Sequence, residues 1–312
     1  MTPSDACPVC ASAGLPIAIH ERDGERWTCL SCRECACQYW YPRTVRAEFY
    51  ADAHEDTYER RHSGERFLRP RHRLFLSRAK PGRLLDIGCG EGAFIIEAQD
   101  RGFEVAGIDL DARSIEIAAS RGLARVRSTP LFETSTGEVE PSLREGRFEW
   151  VTAFEVLEHQ AHPIEFLRAA RALLAPRGSL CGSVPNRDRL FVERQRRMSS
   201  GDFPPHHFLW FSAETLQHTL RVAGFTEIRV LPVPEDELMP YAAYLEDAIL
   251  GAITRSAKRT IRSIPKLEGS AQNRRRLMGV ARTAKNLPFV PLAFAIRTAL
   301  PNRMRSLYFE AR

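Results

Sequence analysis

Arg83-Leu-Leu-Asp-Ile-Gly-Cys-Gly-Glu-Gly-Ala-Phe94 is the stretch whose reading decides the fold. Its first half is a short apolar run of the kind that forms a strand. It breaks at Gly88, glycine recurs at 90 and 92, and a helix-like stretch continues to about Arg101. Glycines between a strand and a helix let a ligand approach backbone amides with no side chain in the way. Such a turn alone is weak evidence. Its weight comes from the next strand, Glu104-Val-Ala-Gly-Ile-Asp109, which ends in an acid 23 positions after Asp86. A carboxylate placed there accepts hydrogen bonds from two ribose hydroxyls. The glycine order is G-x-G-x-G, not the dinucleotide G-x-G-x-x-G, which argues against a nicotinamide or flavin ligand.

Outward from this stretch, strand and helix signals alternate. Strands are expected near 83–87, 104–108, 148–154 and 179–184, and helices near 92–101, 111–121 and 162–174. Alternation of this kind implies a parallel α/β sheet. In the last helix Ile164, Leu167, Ala170 and Leu174 recur at three- and four-residue steps, the spacing of a buried face. Phe225 to Val230 supplies a further strand. Cys89 and Cys181 sit in apolar strand contexts and are expected to be small core residues.

The other six of the eight cysteines fall in the first 37 residues. Cys7-Pro-Val-Cys10 is one C-x2-C knuckle; Cys29-Leu-Ser-Cys32-Arg-Glu-Cys35-Ala-Cys37 offers two overlapping choices for a second, Cys29/Cys32 or Cys32/Cys35. Two knuckles bring four thiolates into the tetrahedron that structural zinc accepts, with no position open to substrate. Residues 1–42 are otherwise too poor in apolar residues to fold on a core of their own.

The 312 residues, 44% hydrophobic, are enough for about two domains by a prior of roughly 150 residues each. The formal charge of +6 is segregated: residues 251–312 hold 14 basic and 2 acidic residues, a net +12, which leaves −6 for the rest. No stretch reaches the roughly 18–20 apolar residues of a membrane span, and MTPSDACPVC has neither the basic lead nor the apolar core of a signal peptide. A cytoplasmic protein is expected, peripheral to a membrane at most.

The chain resembles the class I S-adenosylmethionine-dependent methyltransferases through LLDIGCGEGAF (84–94), GIDLD (107–111), FEWVTAFEVLEH (148–159) and RALLAPRGSLCGSVPN (171–186). More narrowly it is similar to the ubiquinone-biosynthesis-like and sugar-modifying members, whose sequences continue through a P-H-H-x-x-x-F-S segment, here Pro205 to Ser212, into a helix and an A-G-F turn, here Ala223 to Phe225. The resemblance implies a Rossmann-like doubly wound sheet with an antiparallel closing strand, and Arg305 to Ala311 alternates as that strand requires. Asp86, Gly88, Gly90 and Gly92 would line the methionine part of S-adenosylmethionine, Asp109 would bind its ribose, and Phe154 and Glu155 would face its amino group. Residues 128–147 depart from the usual short linker, which leaves the adenine contact unassigned. Many such proteins begin with a zinc-ribbon-like segment whose last knuckle precedes a proline by seven residues. Cys35 and Pro42 satisfy this, so the resemblance favours Cys7, Cys10, Cys32 and Cys35 as zinc ligands.

The domain division expected is a zinc-ribbon-like module at 1–42, a helical linker at 43–79 with Tyr50, Tyr58, Phe67, Leu68, Leu74 and Phe75, the donor-binding core at 80–230, a basic and mostly helical insertion at 231–304, and the closing strand at 305–312. A connection leaving the carboxyl end of a parallel strand begins where ligands bind, so the insertion belongs near the substrate. It carries Tyr241 to Ile253, the basic residues Arg255, Lys258, Arg259, Arg262 and Lys266, the triplet Arg274-Arg275-Arg276, and the apolar run Leu287 to Ile296. Basic residues beside apolar ones suit a phosphate-bearing or membrane-embedded acceptor.

For methyl transfer to a hydroxyl, a base must take the proton. Glu155, Glu158 and His159 stand at i, i+3 and i+4, one face of a helical turn. His159 is the first candidate, with His206 and His207 behind it. The acceptor expected is a small molecule or glycan, lipid-linked or phosphorylated, methylated on oxygen. The chain also resembles small-RNA 2′-O-methyltransferases, in which a Glu-x-x-Glu-His motif and a later histidine hold a divalent ion. Glu155, Glu158, His159 and His207 fit that pattern, although no RNA-binding module accompanies them. A non-catalytic zinc-containing scaffold is the third alternative.

Overall fold

Apolar residues pointing both ways from the strand at 83–87 require cover on both faces, and the chain supplies it. The structure, a computed structural model, describes residues 6–44, 68–133, 136–143, 147–234, 242, 245 and 289–312. In chain order, β1 (Gly14–Arg22), β2 (Glu25–Cys32) and β3 (Gln38–Tyr41) precede α1 (Pro70–Arg78), β4 (Arg83–Ile87), α2 (Ala93–Asp100), β5 (Glu104–Asp109), α3 (Ala112–Ser120) and β6 (Val126–Ser128). Then come β7 (Phe148–Phe154), α4 (Pro163–Ala172), β8 (Leu174–Pro185), α5 (Val192–Met198), β9 (Leu209–Trp210), α6 (Ala213–Val222), β10 (Ile228–Pro232), α7 (Val290–Ala299) and β11 (Ser306–Ala311).

Seven strands form the main sheet in the order β10-β11-β8-β7-β4-β5-β6, and β11 runs antiparallel to both of its neighbours. This is the expected Rossmann-like doubly wound sheet with its antiparallel closing strand. The chain winds one way from β4 through β5 to β6 and the other way from β7 to β8, so the switch point lies between β4 and β7. Ligands bind at the carboxyl ends of the strands there. Side chains alternate between two packed faces: Leu84, Cys181 and Tyr308 join the layer with Phe75, Ile95 and Ala118, while Leu85, Leu180 and Phe309 join the layer with Ile164, Leu167 and Leu216. Cys89 and Cys181 are buried free thiols in this core, as expected. The short edge strand β6 has only three residues, too few for a periodic signal in sequence.

The N-terminal residues do not stand on their own core. Trp27, Tyr39 and Trp40 are buried in one apolar cluster with Phe208, Leu209 and Phe211, and β9 completes the N-terminal sheet in the order β1-β2-β3-β9. Gln38 pairs with Trp210 and Tyr39 with Leu209. Trp40 meets the Trp210 ring edge-on at 5.2 Å, a contact worth about 0.5–1.5 kcal/mol beyond burial.

Of the linker expected at 43–79, helix α1 is described; Tyr50, Tyr58 and Phe67 lie outside the described residues. So do most of residues 231–304, including the basic groups from Arg255 to Arg276. What is described of that region sits at the carboxyl end of β8: Ala293 packs with Ala242 and Leu245 beside Leu190 and Phe191, and the Asn186 side-chain amide donates to the carbonyls of Asn302 and Met304. Among the described residues no helix is long and apolar enough to cross a membrane.

Candidate active site

The loop after β4 turns through left-handed conformations at Gly88, Gly90 and Gly92. Two of these glycines serve different ends. A side chain at Gly92 would overlap Leu123, so this glycine permits close packing where α2 starts, whereas a Cβ at Gly90 would meet nothing within 4 Å. The space beside Gly90 is the cradle a ligand can fill. Gly90 N–H donates to Asp109 Oδ2 at 2.8 Å and Asp111 N–H to Asp109 Oδ1 at 2.9 Å, which fixes the carboxylate at the end of β5. Each oxygen keeps a second lone pair for a ribose hydroxyl. Burial raises the Asp109 carboxyl, against the backbone donors that lower it.

Asp86 lies beneath this loop, buried, and accepts from Thr152 Oγ1 at 2.6 Å. Burial lifts its carboxyl to about 7. At the neighbouring strand end Phe154 is buried against His72 and Phe94, and Glu155 has a φ of +57°. Glu155 Oε1 accepts from Ser183 Oγ at 2.8 Å and stands 3.8 Å from Arg71 Nη1.

The left-handed Glu155 stops any helix from including it, so Glu155, Glu158 and His159 do not share a helical face. Residues Leu157–His159 form a single 3-10 turn. What unites Glu158 and His159 is a partner far away in sequence. Nε2 of His159 and Nε2 of His207 each stand 3.9 Å from Glu158 Oε1, and the two imidazoles meet edge-on at 4.7 Å. Glu158 is fully buried and neither carboxyl oxygen has a hydrogen-bond partner. Burial, reinforced by the Glu155 charge, pushes its carboxyl far up. His159 shares its Nδ1 proton with the His206 carbonyl at 2.6 Å, and burial with the neighbouring His207 drives its imidazole down to about 3.

Two functional candidates carry no sequence signal. Asp202 faces His207 Nδ1 at 3.7 Å and is paired with Arg189 and, at 3.1 Å, with Arg196. Burial works against its charge, but His207 and Arg189 hold the carboxyl well below the usual range. Arg71, half-buried on α1, reaches Glu155 with its Nε unpartnered. Each depends on a tertiary approach that spacing does not encode.

In the N-terminal sheet the ligand atoms of Cys7, Cys10, Cys32 and Cys35 lie within 4.8 Å of one another. Cys7 and Cys35 sulfurs are 3.5 Å apart, and Cys10 stands 3.4 Å from Cys32 and 3.5 Å from Cys35. Four thiolates about 2.3 Å from one ion would stand roughly 3.8 Å apart, so the set fits tetrahedral zinc. Cys29 and Cys37 are buried outside this group. A second group comprises Glu158, His159 and His207; Glu155 is not in it.

A family model described as a methyltransferase domain matches residues 58–230. The ubiquinone biosynthesis O-methyltransferase of Bordetella avium is 35% identical over 111 residues, covering 34% of this chain and 44% of its own. That of Xanthomonas campestris pv. campestris is 38% identical over 113 residues, covering 35% and 46%. The chain thus spans less than half the length of these curated relatives. Among solved structures, a chain from the Haloferax volcanii complex of a methyltransferase activator superposes with a TM-score of 0.50 at 14% identity, covering 86% of this chain and 98% of its own, a likeness of fold.

Proposed function

The chain belongs to the methyltransferase domain family, and from that premise we propose that it transfers the methyl group of S-adenosylmethionine to an oxygen of a small-molecule, glycan or lipid-linked acceptor. The observation that carries the choice of oxygen is the cluster of Glu158, His159 and His207 backed by Asp202 at the switch point of the sheet. S-adenosylmethionine supplies an activated methyl, so the protein's work is to align acceptor and donor, exclude water and remove a proton. Gly88, Gly90, Gly92 and Asp86 would line its methionine part, Asp109 the ribose, and Phe154 and Glu155 its amino end. His207 Nε2, in place of the His159 expected first from sequence, whose imidazole burial and His207 drive down to about 3, would take the hydroxyl proton as oxygen bonds to the methyl carbon and the carbon–sulfur bond breaks. The Asp202 carboxylate facing Nδ1 stabilises the imidazolium that results. His159, held neutral, and the buried Glu158 would orient the acceptor hydroxyl.

The curated relatives act in ubiquinone biosynthesis by their names, which supports an acceptor with a lipid tail. So does the net +12 over residues 251–312, suited to an anionic surface or a phosphorylated substrate. The same charge supports peripheral contact with an anionic membrane surface. The four-cysteine site is read as structural zinc.

A second reading rests on the two unpartnered Glu158 oxygens. A carboxylate and two imidazoles can hold a divalent ion, and in that case Glu158, His159 and His207 would place it over the ribose hydroxyls of RNA. Labelled methyl from S-adenosylmethionine, incubated with source-cell extract and the zinc-replete protein, separates the readings. Label in the organic phase supports a lipid-linked acceptor and label in small aqueous molecules a free metabolite or sugar. Nuclease-sensitive label lost after removal of loosely bound divalent ions establishes the second reading. S-adenosylmethionine that neither binds nor transfers leaves a scaffold.

A further inference from the structure

At the end of the main sheet opposite the glycine loop, where β7 and β8 begin, an open cleft of about 560 Å³ is lined by five arginines. Arg147 immediately precedes β7, Arg168 and Arg171 lie on α4, Arg177 lies early in β8, and Arg312 follows β11. We infer that this cleft is an anion site for a ligand bearing two or more phosphates, separate from the donor and acceptor sites.

Three segments, residue 147, residues 168–178 and residue 312, bring these arginines together, and among the described residues no acidic one lines the cleft. Among the described residues, Arg312 has a carboxylate nearby, Glu310 at 3.7 Å, and no ion pair is formed by Arg147, Arg168, Arg171 or Arg177. Like charges gathered without counter-charge repel, and a bound polyanion relieves this. The groups are also placed: Arg147 Nη1 donates to the Ala172 carbonyl at 2.5 Å and Arg312 Nε to Ser179 Oγ at 2.7 Å. Attraction to the carboxyl end of α4 accounts for Arg147 and Arg171, Arg168 Nη2 donates to the Val222 carbonyl at the end of α6 at 3.5 Å, and Arg312 is held by Ser179 and Glu310, but none of this accounts for Arg177. Arg177 is the most telling. Its φ is +67°, a conformation glycine adopts freely, and Gly178 is next in the chain; a long cationic side chain is kept where the backbone prefers none.

The chemistry of the lining selects the ligand. Planar guanidinium forks match phosphate oxygens two at a time, and several together exceed the need of one oxyanion. Apart from the arginines the wall is Ala172, Leu174, Ala175, Pro176 and Gly178, with no aromatic ring on which a base could stack. The site therefore reads a phosphate chain and not a nucleobase.

The test is calorimetric titration of the full chain, zinc-replete, with tripolyphosphate, pyrophosphate and sulfate in about 150 mM salt. Tripolyphosphate is expected to bind one to one, at least tenfold more tightly than sulfate. Arg168→Gln and Arg177→Gly should each weaken it fivefold or more, while Arg26→Gln, an exposed charge on β2, leaves it unchanged. Arg177→Gly should also keep or raise the melting temperature, because it relaxes the backbone, so loss of binding there is not loss of fold. Equal weakening by Arg26→Gln, binding indifferent to Arg168 and Arg177, or single-stranded RNA bound through these arginines while tripolyphosphate is not, would each overturn the assignment. S-adenosylmethionine binding should be normal in every variant, so the outcome is independent of the methyl-transfer reading.

Discussion

Alanine at Gly90 and alanine at Gly92 are nearly the same change two residues apart, yet they should fail in opposite ways. Both glycines have positive φ, +51° and +80°, so either substitution carries a left-handed cost of about 1 kcal/mol. At Gly90 there is nothing further to pay in the free protein, because a Cβ meets no atom within 4 Å. At Gly92 it overlaps Leu123 Cδ1 and touches the Ala118 side chain at 3.4 Å, and forced overpacking adds about 1–3 kcal/mol. Urea unfolding should therefore show about 1 kcal/mol lost for Gly90→Ala and about 2–4 kcal/mol for Gly92→Ala. Donor binding should reverse the ranking. The Gly90 methyl enters the cradle and should raise the Kd for S-adenosylhomocysteine by about ten- to a hundredfold, or ~1.4–2.7 kcal/mol. Folded Gly92→Ala should bind within a few-fold of the parent. If Gly90→Ala binds the donor product normally, or loses more stability than Gly92→Ala, the assignment of the open space to the donor is wrong.

Burial holds the Asp86 carboxyl up at about 7, against roughly 3.9 in an unfolded chain, so the native state keeps a proton that the unfolded state releases. Its contribution is complete below about pH 4 and is lost as pH rises to 7, by up to about 4 kcal/mol; Asp86→Asn should flatten that slope in urea titrations, and an unaltered slope would contradict the burial argument. Cys35→Ser should reduce bound zinc from one per chain to none by atomic absorption and shift the fluorescence of Trp27 and Trp40 to the red; retained zinc would move the site to other thiols. Trp40→Ala empties a fully buried position and should cost about 3–5 kcal/mol, with methyl transfer falling alongside, and a change under 1 kcal/mol would show the N-terminal sheet to be independent of the core.

The parts of this molecule legible in sequence are those in which neighbours in the chain are neighbours in space. Residues 83–94 and 104–109 carry strand, turn, helix and acid within one local unit, and the cysteine knuckles bring their own spacing. The family resemblance then pointed to His207 and to the closing strand. Spacing failed where a single backbone angle intervened: the i, i+3, i+4 pattern from Glu155 assumes helix, and a φ of +57° at Glu155 withdraws it from the group. Asp202 and Arg71 were invisible because an acid before a phenylalanine and an arginine after a proline are ordinary until tertiary contacts bring them to His207 and Glu155. The five-arginine cleft was hidden for the same reason, its members being scattered from 147 to 312.

Phe208 is held from both sides: its carbonyl accepts from Trp40 N–H at 2.8 Å, and its own N–H donates to the Glu158 carbonyl at 2.9 Å. Strand β3 is thus two backbone bonds from the buried acid of the candidate active site, with His207 adjoining Phe208 between them. If zinc at the four thiolates and an acceptor at His207 both favour this arrangement, linkage requires each to strengthen the other by the same factor. Acceptor should slow the escape of zinc to a chelator, and a chelator should act as an inhibitor without ever entering the catalytic cleft.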